Sequence, residues 1–361
     1  MVIGMGEVKV AVVGVGNSAS ALIQGVHYYK NAKNGELIPG LLHVSFGDYH
    51  VKDLRFVAAF DIDSGKVGKD LGEAIYHEPN NTRVFCKVPK LGVTVMKGNQ
   101  LDGLGKYLRD VVPVNREEAA VDVAGVLRDV KADLLVNYLP VGSDQATQWY
   151  ATQALEAGCA FVNCIPSFIA SVPSWQKKFT QAKLPVAGDD VMSQVGATVV
   201  HKTLAKLMVD RGALVEESYQ LNIGGDTDFL NMVEEDRLVS KRTSKTEAVQ
   251  AMVPYKIPLK IGPSDYIQFL KNKKICYILL KGRYFGDTPL NIDVKLEVLD
   301  SPNSAGIVID AIRATKIALD RGIYGPLTSI SAYAFKHPPK HAPYDVAKVW
   351  VEDFIEGKRE R

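Results

Sequence analysis

The first predicted elements are a strand, a glycine turn and a helix in immediate succession. Val8–Val13 is a nearly unbroken apolar run dominated by valine, and such runs form parallel strands that are buried on both faces. The run ends at residues 14–16, Gly-Val-Gly. Residues 18–29 then place Leu22 and Val26 on one face, with the spacing of a helix that packs on a sheet. This order predicts the opening half of a βαβ unit.

Short apolar strands and helical stretches continue to alternate as far as residue 187. Further strands are predicted at 55–60, 132–136, 160–165 and 185–187, with helices that include 144–157 and 174–182. Residues 30–52 carry scattered Gly, Pro, Asn and His without a period, so we interpret them as an insertion. The alternation predicts an α/β fold with a doubly wound parallel sheet. Ligands bind at the strand ends of such sheets.

The pattern changes near residue 214. Segments 215–223, 276–284 and 291–299 are longer, and several alternate polar with apolar residues, as in an antiparallel sheet with one solvated face. Residues 304–320 return to helical spacing and are expected to pack back onto the first unit. We therefore predict a discontinuous Rossmann-type domain, 1–200 with 301–361. We predict that residues 201–300 form a second, α+β domain with a mostly antiparallel sheet.

Composition excludes several classes of function. The 361 residues include 43 Lys plus Arg and 41 Asp plus Glu, and this near-neutral balance gives no global charge for binding nucleic acid or a membrane. The N-terminus lacks the basic region and cleavage site of a signal peptide, so we expect a cytoplasmic protein. The cysteines lack the spacing of zinc or redox sites and are expected to be reduced. They are Cys86, Cys159, Cys164 and Cys276.

The turn after the first strand fits the dinucleotide-binding pattern G-x-G-x-x-G/A over residues 14–19. Its first glycine permits the tight turn, and its second lets the backbone approach a pyrophosphate at the helix N-terminus. Asp61 is the nearest acid at a strand end, where a carboxylate binds ribose hydroxyls and favours NAD over NADP. The alternative is an acid that only caps a turn. The NAD-binding residues predicted at strand ends are Gly14, Gly16, Asn17, Ser18, Ala19, Asp61, Leu139, Pro140, Gly142 and Ser143.

Lysine is the recurrent candidate for chemistry in the second half of the chain. Lys241 and Lys245 are four residues apart, so on a helix they share one face, about 6 Å apart. Such a pair makes a positive site for a phosphate or a developing oxyanion. The alternative is a solvated surface pair. No Ser/His/Asp order and no HExxH spacing competes with these lysines.

A second candidate for anion binding follows the strand at 185–187. Residues 188–190, Gly-Asp-Asp, precede the segment 193–198, which is expected to open a helix. The first backbone N–H groups of that helix would face a phosphate. The alternative is ordinary capping of the helix by Asp190 or Ser193.

Seven stretches together resemble the myo-inositol-1-phosphate synthase family, in particular its shorter bacterial and archaeal branch. The resemblance covers nearly the whole chain and depends on the order and spacing of the stretches. They are VAVVGVGNSASALIQGVHYY, LLVNYLPVGS, GDDVMSQVGAT, LNIGGDTDFLNM, SKRTSK, LDSPNSAG and SAYAFKHPP. The resemblance implies conversion of D-glucose 6-phosphate to 1L-myo-inositol 1-phosphate, with tightly bound NAD reduced and then reoxidised within one turnover.

The resemblance also implies roles for individual residues. A cluster of lysines would stabilise an enolate, and aspartates would orient the lysines or the nicotinamide. The implied catalytic residues are Lys241, Lys245, Lys274, Lys336, Asp190 and Asp300. Asp190 and Ser193 would also contact the cofactor. The implied substrate residues are Ser193, Thr198, Asn222, Asp226 and Asp228.

The remaining predictions concern the oligomeric state, the metal requirement and two competing functions. The resemblance implies a homotetramer built on the sheet of the second domain, which would be the catalytic and oligomerisation domain. The sequence has no tight His/Cys/Asp cluster, so the divalent metal requirement stays open. The main alternative is an NAD-dependent dehydrogenase of a phosphorylated sugar or an amino-acid-like substrate. The other is a non-catalytic NAD-sensing or scaffold protein.

Overall fold

The structure is a computed structural model, and it describes residues 6–361. In this part of the chain the strands form two large sheets and one small ribbon. The strands are β1 (Val8–Val13), β2 (Ser45–Phe46), β3 (Tyr49–His50), β4 (Leu54–Asp61), β5 (Val95–Lys97), β6 (Leu134–Asn137), β7 (Ala160–Asn163), β8 (Pro185–Gly188), β9 (Leu214–Gly224), β10 (Leu259–Tyr266), β11 (Lys273–Tyr284), β12 (Thr288–Leu299) and β13 (Gly325–Pro326).

The α-helices connect these strands and cover their faces. Short 3₁₀ turns occur in several connections. The helices are α1 (Asn17–Tyr29), α2 (Leu71–Ala74), α3 (Val123–Asp129), α4 (Asp144–Ala157), α5 (Pro173–Gln181), α6 (Ala197–Asp210), α7 (Thr227–Asn231), α8 (Val239–Gln250), α9 (Asp300–Asp320), α10 (Thr328–Ala334) and α11 (Tyr344–Ile355).

Seven strands form a wholly parallel sheet in the order β13-β8-β7-β6-β1-β4-β5. Val10 and Val12 of β1 belong to a core shared with α1 and α9 on one face. Ala11 and Val13 belong to a core shared with α3, α4 and α5 on the other face. Burial on both faces explains the continuous apolar run, and the predicted doubly wound parallel sheet is confirmed. Strand order reverses at β1, the kind of position at which such sheets bind ligands.

The second sheet has the order β10-β9-β11-β12. β9, β11 and β12 pair antiparallel, whereas β10 runs parallel to β9. Its buried face includes Val215, Cys276 and Ile278, which pack in one core with residues of α6 and α8. The predicted mostly antiparallel sheet is confirmed. β10 is not among the strands predicted from the sequence.

Residues 30–52 contain more order than predicted. β2 and β3 form a short antiparallel ribbon within this insertion. The guanidinium of Arg313, fully buried on α9, donates to the carbonyl oxygens of His43 and Val44 at 2.8 Å and of Tyr49 at 3.2 Å. Strands of two residues are too short to show a period, so only the tertiary contacts reveal the ribbon.

Helix α9 links the second sheet to the first. It has 21 residues and begins at Asp300 rather than at residue 304, where the sequence predicts its start. It packs against α1 and the parallel sheet. No helix within residues 6–361 is long and apolar enough to cross a membrane. The earlier start matters because it places Asp300 in the first turn of α9, beside the start of β11.

Candidate active site

A cavity of about 200 Å³ lies at the carboxyl edge of the parallel sheet. The loops that follow β1, β6, β7 and β8 meet there with α6, α7, α8 and the start of α9. The predicted site residues that line it are Gly16, Asn17, Ser18, Leu139, Pro140, Asp190, Ser193, Thr198, Asp226, Asp228, Lys241, Lys245, Lys274, Asp300 and Lys336. Those outside its lining are Gly14, Ala19, Asp61, Gly142, Ser143 and Asn222. One cavity thus joins the glycine turn to the lysines.

The glycine turn is shaped to accept a pyrophosphate. Gly14 has φ of +86°, and a Cβ there would lie 2.5 Å from the carbonyl oxygen of Tyr138. A Cβ on Gly16 would meet no atom of the described residues within 4 Å, so they leave the space in front of α1 open. Helix α1 has no side-chain cap among the described residues. Its first N–H groups are therefore available to an anion, and the turn fits the dinucleotide that its sequence predicts.

Asp61 supports the turn from behind. One carboxylate oxygen accepts a hydrogen bond from the amide of Val15 at 2.6 Å, and the other accepts from Ile62 at 2.7 Å and Asp63 at 3.0 Å. These contacts are the ones expected from the alternative interpretation, in which Asp61 caps a turn. Because a carboxylate has about four acceptor positions, the ribose contact of Asp61 stays a prediction.

The loop after β6 is held by polar contacts outside the cavity. The side-chain oxygen of Asn137 accepts from the amide of Leu139 at 3.1 Å. Ser143 donates to the carbonyl oxygen of Pro140 at 2.6 Å. A Cβ on Gly142 would lie 2.6 Å from the Arg237 side chain. Gly142 and Ser143 therefore shape the loop, whereas Leu139 and Pro140 face the cavity.

The lysines converge on the cavity from three elements. Lys241 and Lys245 lie on α8, Lys274 lies on β11, and Lys336 follows α10. The Lys241 side chain is 12% exposed and Lys245 is 3% exposed. The alternative of a solvated surface pair is therefore wrong for Lys241 and Lys245. Sequence spacing correctly places these two on one face of a helix.

Asp190 is the anionic centre of the cluster. It is 1% exposed, and its carboxylate lies 2.9 Å from Nζ of Lys336 and 3.8 Å from Nζ of Lys241. The hydroxyl of Ser244 also donates to it. Burial alone would raise the pKa of Asp190, but Lys336, Lys241 and the hydrogen bonds lower it to about 2. Asp190 is therefore ionised at any pH of interest and holds Lys336 in place.

The other aspartates divide between lysine partners and structural capping. Asp300 lies 3.2 Å from Nζ of Lys274, and Asp228 lies 3.7 Å from Nζ of Lys241. Asp226 caps α7 by accepting from the amides of Asp228 and Phe229, both at 3.1 Å. Burial, Asp228 and Asp300 raise the pKa of Asp226 to about 7. The cavity therefore holds both ionised and readily protonated carboxyl groups.

Lys241 and Lys245 differ in charge although they are neighbours. Burial opposes the charge of Lys241, but Asp228, Asp190 and Asp300 outweigh it and raise its pKa above the ordinary value. Among the described residues Lys245 has no ion-pair partner, and burial together with Lys274 and Lys241 lowers its pKa well below the ordinary value. The site thus places Lys245, whose lowered pKa favours the neutral amine, beside Lys241, whose raised pKa favours the charged ammonium.

Helix α6 presents a second open N-terminus to the cavity. Its capping residue is Gly196, and no side chain caps it among the described residues. The alternative of capping by Asp190 or Ser193 is therefore wrong. Ser193, Ala197 and Thr198 line the cavity, so this end of the 14-residue helix is suited to a phosphate.

Gln220 and Ser244 are side chains at the site that were not predicted from the sequence. The predicted Asn222 is not among the residues that line the cavity, and it donates to the carbonyl oxygen of Gly262 at 2.6 Å. Gln220, two residues earlier on β9, lines the cavity instead. The alternating pattern of β9 places both on its buried face but gives no signal for which one reaches the cavity. Ser244 could have been found, because it lies three residues after Lys241 on the same helix.

Comparison with known proteins gives a consistent family assignment. Residues 196–301 match the sequence model of the family described as myo-inositol-1-phosphate synthase. An inositol-3-phosphate synthase of Mycolicibacterium smegmatis is 54% identical over 98% of this chain and 99% of that protein. One of Mycobacterium tuberculosis is 53% identical over 97% of this chain and 96% of that protein.

A solved structure agrees with this assignment. The crystal structure of a myo-inositol-1-phosphate synthase-related protein from Thermotoga maritima has a TM-score of 0.82 and 26% identity. The match covers 97% of this chain and 98% of that one. With the sequence identities over nearly the full length, these findings show that the chain belongs to the myo-inositol-1-phosphate synthase family.

Proposed function

We propose that this protein is an inositol-1-phosphate synthase that converts D-glucose 6-phosphate to 1L-myo-inositol 1-phosphate. The observation that carries the proposal is the cluster of four lysines that faces the glycine turn across one cavity. A dehydrogenase needs the turn, but it has no evident use for this many buried amines. An enolisation followed by an aldol closure does need such amines, because negative charge develops on oxygen in both steps.

The chain's own groups are suited to the cofactor. The open space at Gly16 and the uncapped start of α1 fit the pyrophosphate of NAD. When bound, NAD would supply the acceptor for a hydride from C5 of the substrate, whose C5 hydroxyl would release its proton in the same step; both would return to C5 and its oxygen at the end, so no net oxidation occurs. Leu139 and Pro140, on the loop after β6, would then cover one side of the cofactor.

The lysines would carry out the proton transfers between these two events. A C–H bond beside a carbonyl is acidic only if the resulting enolate is stabilised. Lys245 would accept the C6 proton, because a general base must be unprotonated and the lowered pKa of Lys245 favours the neutral amine. The ammonium groups of Lys241, Lys274 and Lys336 would stabilise the enolate oxygen. One of them would protonate the C1 oxygen when the enolate carbon attacks the aldehyde.

The substrate phosphate would lie at the start of α6. The first N–H groups of that helix and the hydroxyls of Ser193 and Thr198 are directed to the cavity. A fixed phosphate positions C5 and C6 relative to the lysines, which is the main requirement of an intramolecular closure. Asp226 and Asp228, at the start of α7, would contact sugar hydroxyls.

We further propose a cytoplasmic homotetramer that assembles through the second sheet. Tyr219, Leu221 and Tyr277 are 36%, 40% and 41% exposed on one face, and Tyr277 pairs directly with Leu221. Such an apolar face favours burial against another copy. All four cysteines are free thiols, which suits a reducing compartment.

The test is a product assay with limiting cofactor. Tag-free protein is incubated with glucose 6-phosphate and NAD⁺ at one-tenth of the substrate concentration. The proposal predicts inositol phosphate in several-fold excess over NAD⁺, without accumulation of NADH. Accumulation of NADH without inositol phosphate would instead support the dehydrogenase. The Lys206→Ala variant, which breaks a surface ion pair with Asp210, serves as a control and should keep full activity.

A further inference from the structure

Three side chains of types that can bind a metal ion meet outside the cavity. Glu247, His337 and His341 each have a ligand atom within 4.8 Å of the others. Within residues 6–361 no other group of three His, Cys, Asp or Glu residues brings its ligand atoms this close. The sequence showed no such cluster because Glu247 is far from the two histidines along the chain.

The backbone fixes which way these side chains point. His337 exchanges both backbone hydrogen bonds with Asp189, each at 3.0 Å. Consecutive side chains of an extended segment lie on opposite sides. Lys336 is directed to Asp190 in the cavity, so His337 is directed outward. Its ring stacks on Phe168 with the centroids 4.0 Å apart.

The distances are close to those of a metal site. Nδ1 of His337 lies 2.9 Å from Oε2 of Glu247, yet the two are not aligned as a hydrogen bond, and this buried nitrogen has no hydrogen-bond partner within residues 6–361. Tetrahedral zinc with bonds of about 2.0–2.1 Å separates its ligand atoms by about 3.4 Å. Small side-chain rotations would bring all three atoms to that spacing.

The ligand types and the surroundings favour a transition metal. Two imidazoles with one carboxylate are a common zinc ligand set, and three protein ligands leave a fourth position for water. That position would open to a shallow surface pocket that His341 and Glu247 help to line. Lys202 donates to the carbonyl oxygen of Ala342 at 3.1 Å and so holds the loop of His341 in place.

We propose that Glu247, His337 and His341 bind a divalent transition-metal ion, with zinc the best match to the ligand set. The site is separate from the carboxylates of the cavity, which are paired with lysines. It connects α8, which carries Lys245, to the segment that begins at Lys336. A bound ion would therefore cross-link the two elements that carry Lys245 and Lys336, on the side away from the substrate.

Metal binding can be measured directly on the tag-free, full-length protein. The protein is stripped with EDTA, dialysed against zinc, and its metal content and zinc affinity are determined by elemental analysis and chelator competition. We expect one tightly bound zinc per chain. Glu247→Gln and His341→Ala should each weaken zinc binding by at least about tenfold. His77→Ala, in a histidine outside the cluster, is the matched control and should change nothing.

Cobalt gives a second readout. Co²⁺ in the stripped protein should produce visible absorption bands of a tetrahedral site, which both cluster variants lose. Circular dichroism of each variant in EDTA checks that it is folded. The proposal is overturned if the wild-type protein retains no zinc, or if folded cluster variants bind zinc as tightly as the wild type does.

Discussion

Replacing Asp190 with Asn tests whether the buried carboxylate keeps Lys336 charged. The amide has nearly the same shape and can still accept a hydrogen bond from Lys336, which lies 2.9 Å away in the wild type. What the variant loses is the negative charge between Lys336 and Lys241. The buried ammonium of Lys336 would then face Lys241 without a counter-charge.

The expected magnitude follows from the pKa of Asp190. Its fall from 3.8 to about 2 corresponds to roughly 2 kcal/mol of net stabilisation of the carboxylate, which remains after burial opposes the lysines and the hydrogen bonds. This stabilisation is fully present above pH 3.8 and is lost as the pH falls through about 2. The interaction is mutual, so removal of the carboxylate lowers the pKa of Lys336 by a comparable amount. Burial already lowers that pKa, so the loss of the carboxylate shifts Lys336 further towards its neutral form.

Inositol phosphate formation is therefore measured from pH 6 to pH 8.5. We expect kcat to fall about 10²- to 10³-fold at pH 8, as for the loss of one oxyanion-stabilising group. Relative to the wild type, the variant should recover activity as the pH is lowered, because acid restores the ammonium. Asp210→Asn, in an exposed ion pair, is the control and should match the wild type. An unchanged kcat, or a loss that is equal at pH 6 and pH 8.5, would refute the reasoning.

Three further predictions test the lysine cluster, the glycine turn and the protonation of Asp226. Lys336→Ala should abolish product formation while the amount of NAD that co-purifies stays nearly unchanged; full turnover would remove Lys336 from the mechanism. Gly14→Ala should abolish NAD binding, measured by equilibrium dialysis, because its Cβ would lie 2.5 Å from a carbonyl oxygen; wild-type affinity would contradict the assigned turn. Asp226→Asn should raise the melting temperature relative to wild type more at pH 8 than at pH 5. The pKa of Asp226 is raised to about 7, so the stability of the wild-type protein falls as the pH rises towards 7. An equal change in melting temperature at both pH values would exclude this titration.

The parallel sheet could be predicted because its strands are buried on both faces. Val8–Val13 shows this directly, since burial on two sides removes polar residues from the pattern. Strand β10 was missed because Gly262 and Pro263 usually break strands. The structure tolerates Pro263 because β10 is an edge strand, where a missing N–H leaves no partner unsatisfied.

The start of α9 was misplaced for a related reason. Pro302 in its first turn looks like a break, but a proline there costs no hydrogen bond, because the first N–H groups of a helix have no internal acceptor. The resulting shift moves Asp300 from a loop into the helix, 3.2 Å from Lys274. Sequence spacing could not have shown this contact, since it depends on how α9 meets β11.

In the candidate site, too, some features follow from local sequence and others depend on long-range contacts. The face shared by Lys241 and Lys245 follows from helical spacing alone. The role of Asp61 does not, because its oxygens accept hydrogen bonds from backbone amides that only the folded turn brings near. The cluster of Glu247 with two histidines is entirely a product of tertiary structure.

The most direct test of the central claim follows the hydrogen at C5. Glucose 6-phosphate carrying deuterium at C5 is converted by the protein with unlabelled NAD⁺, and an excess of unlabelled NADH is added to the solution. If the hydride passes from C5 to NAD⁺ and back to C5 within one turnover, NMR and mass spectrometry will find one deuterium per inositol phosphate, at the carbon derived from C5. Deuterium in the free NADH, or its absence from the product, would contradict the account.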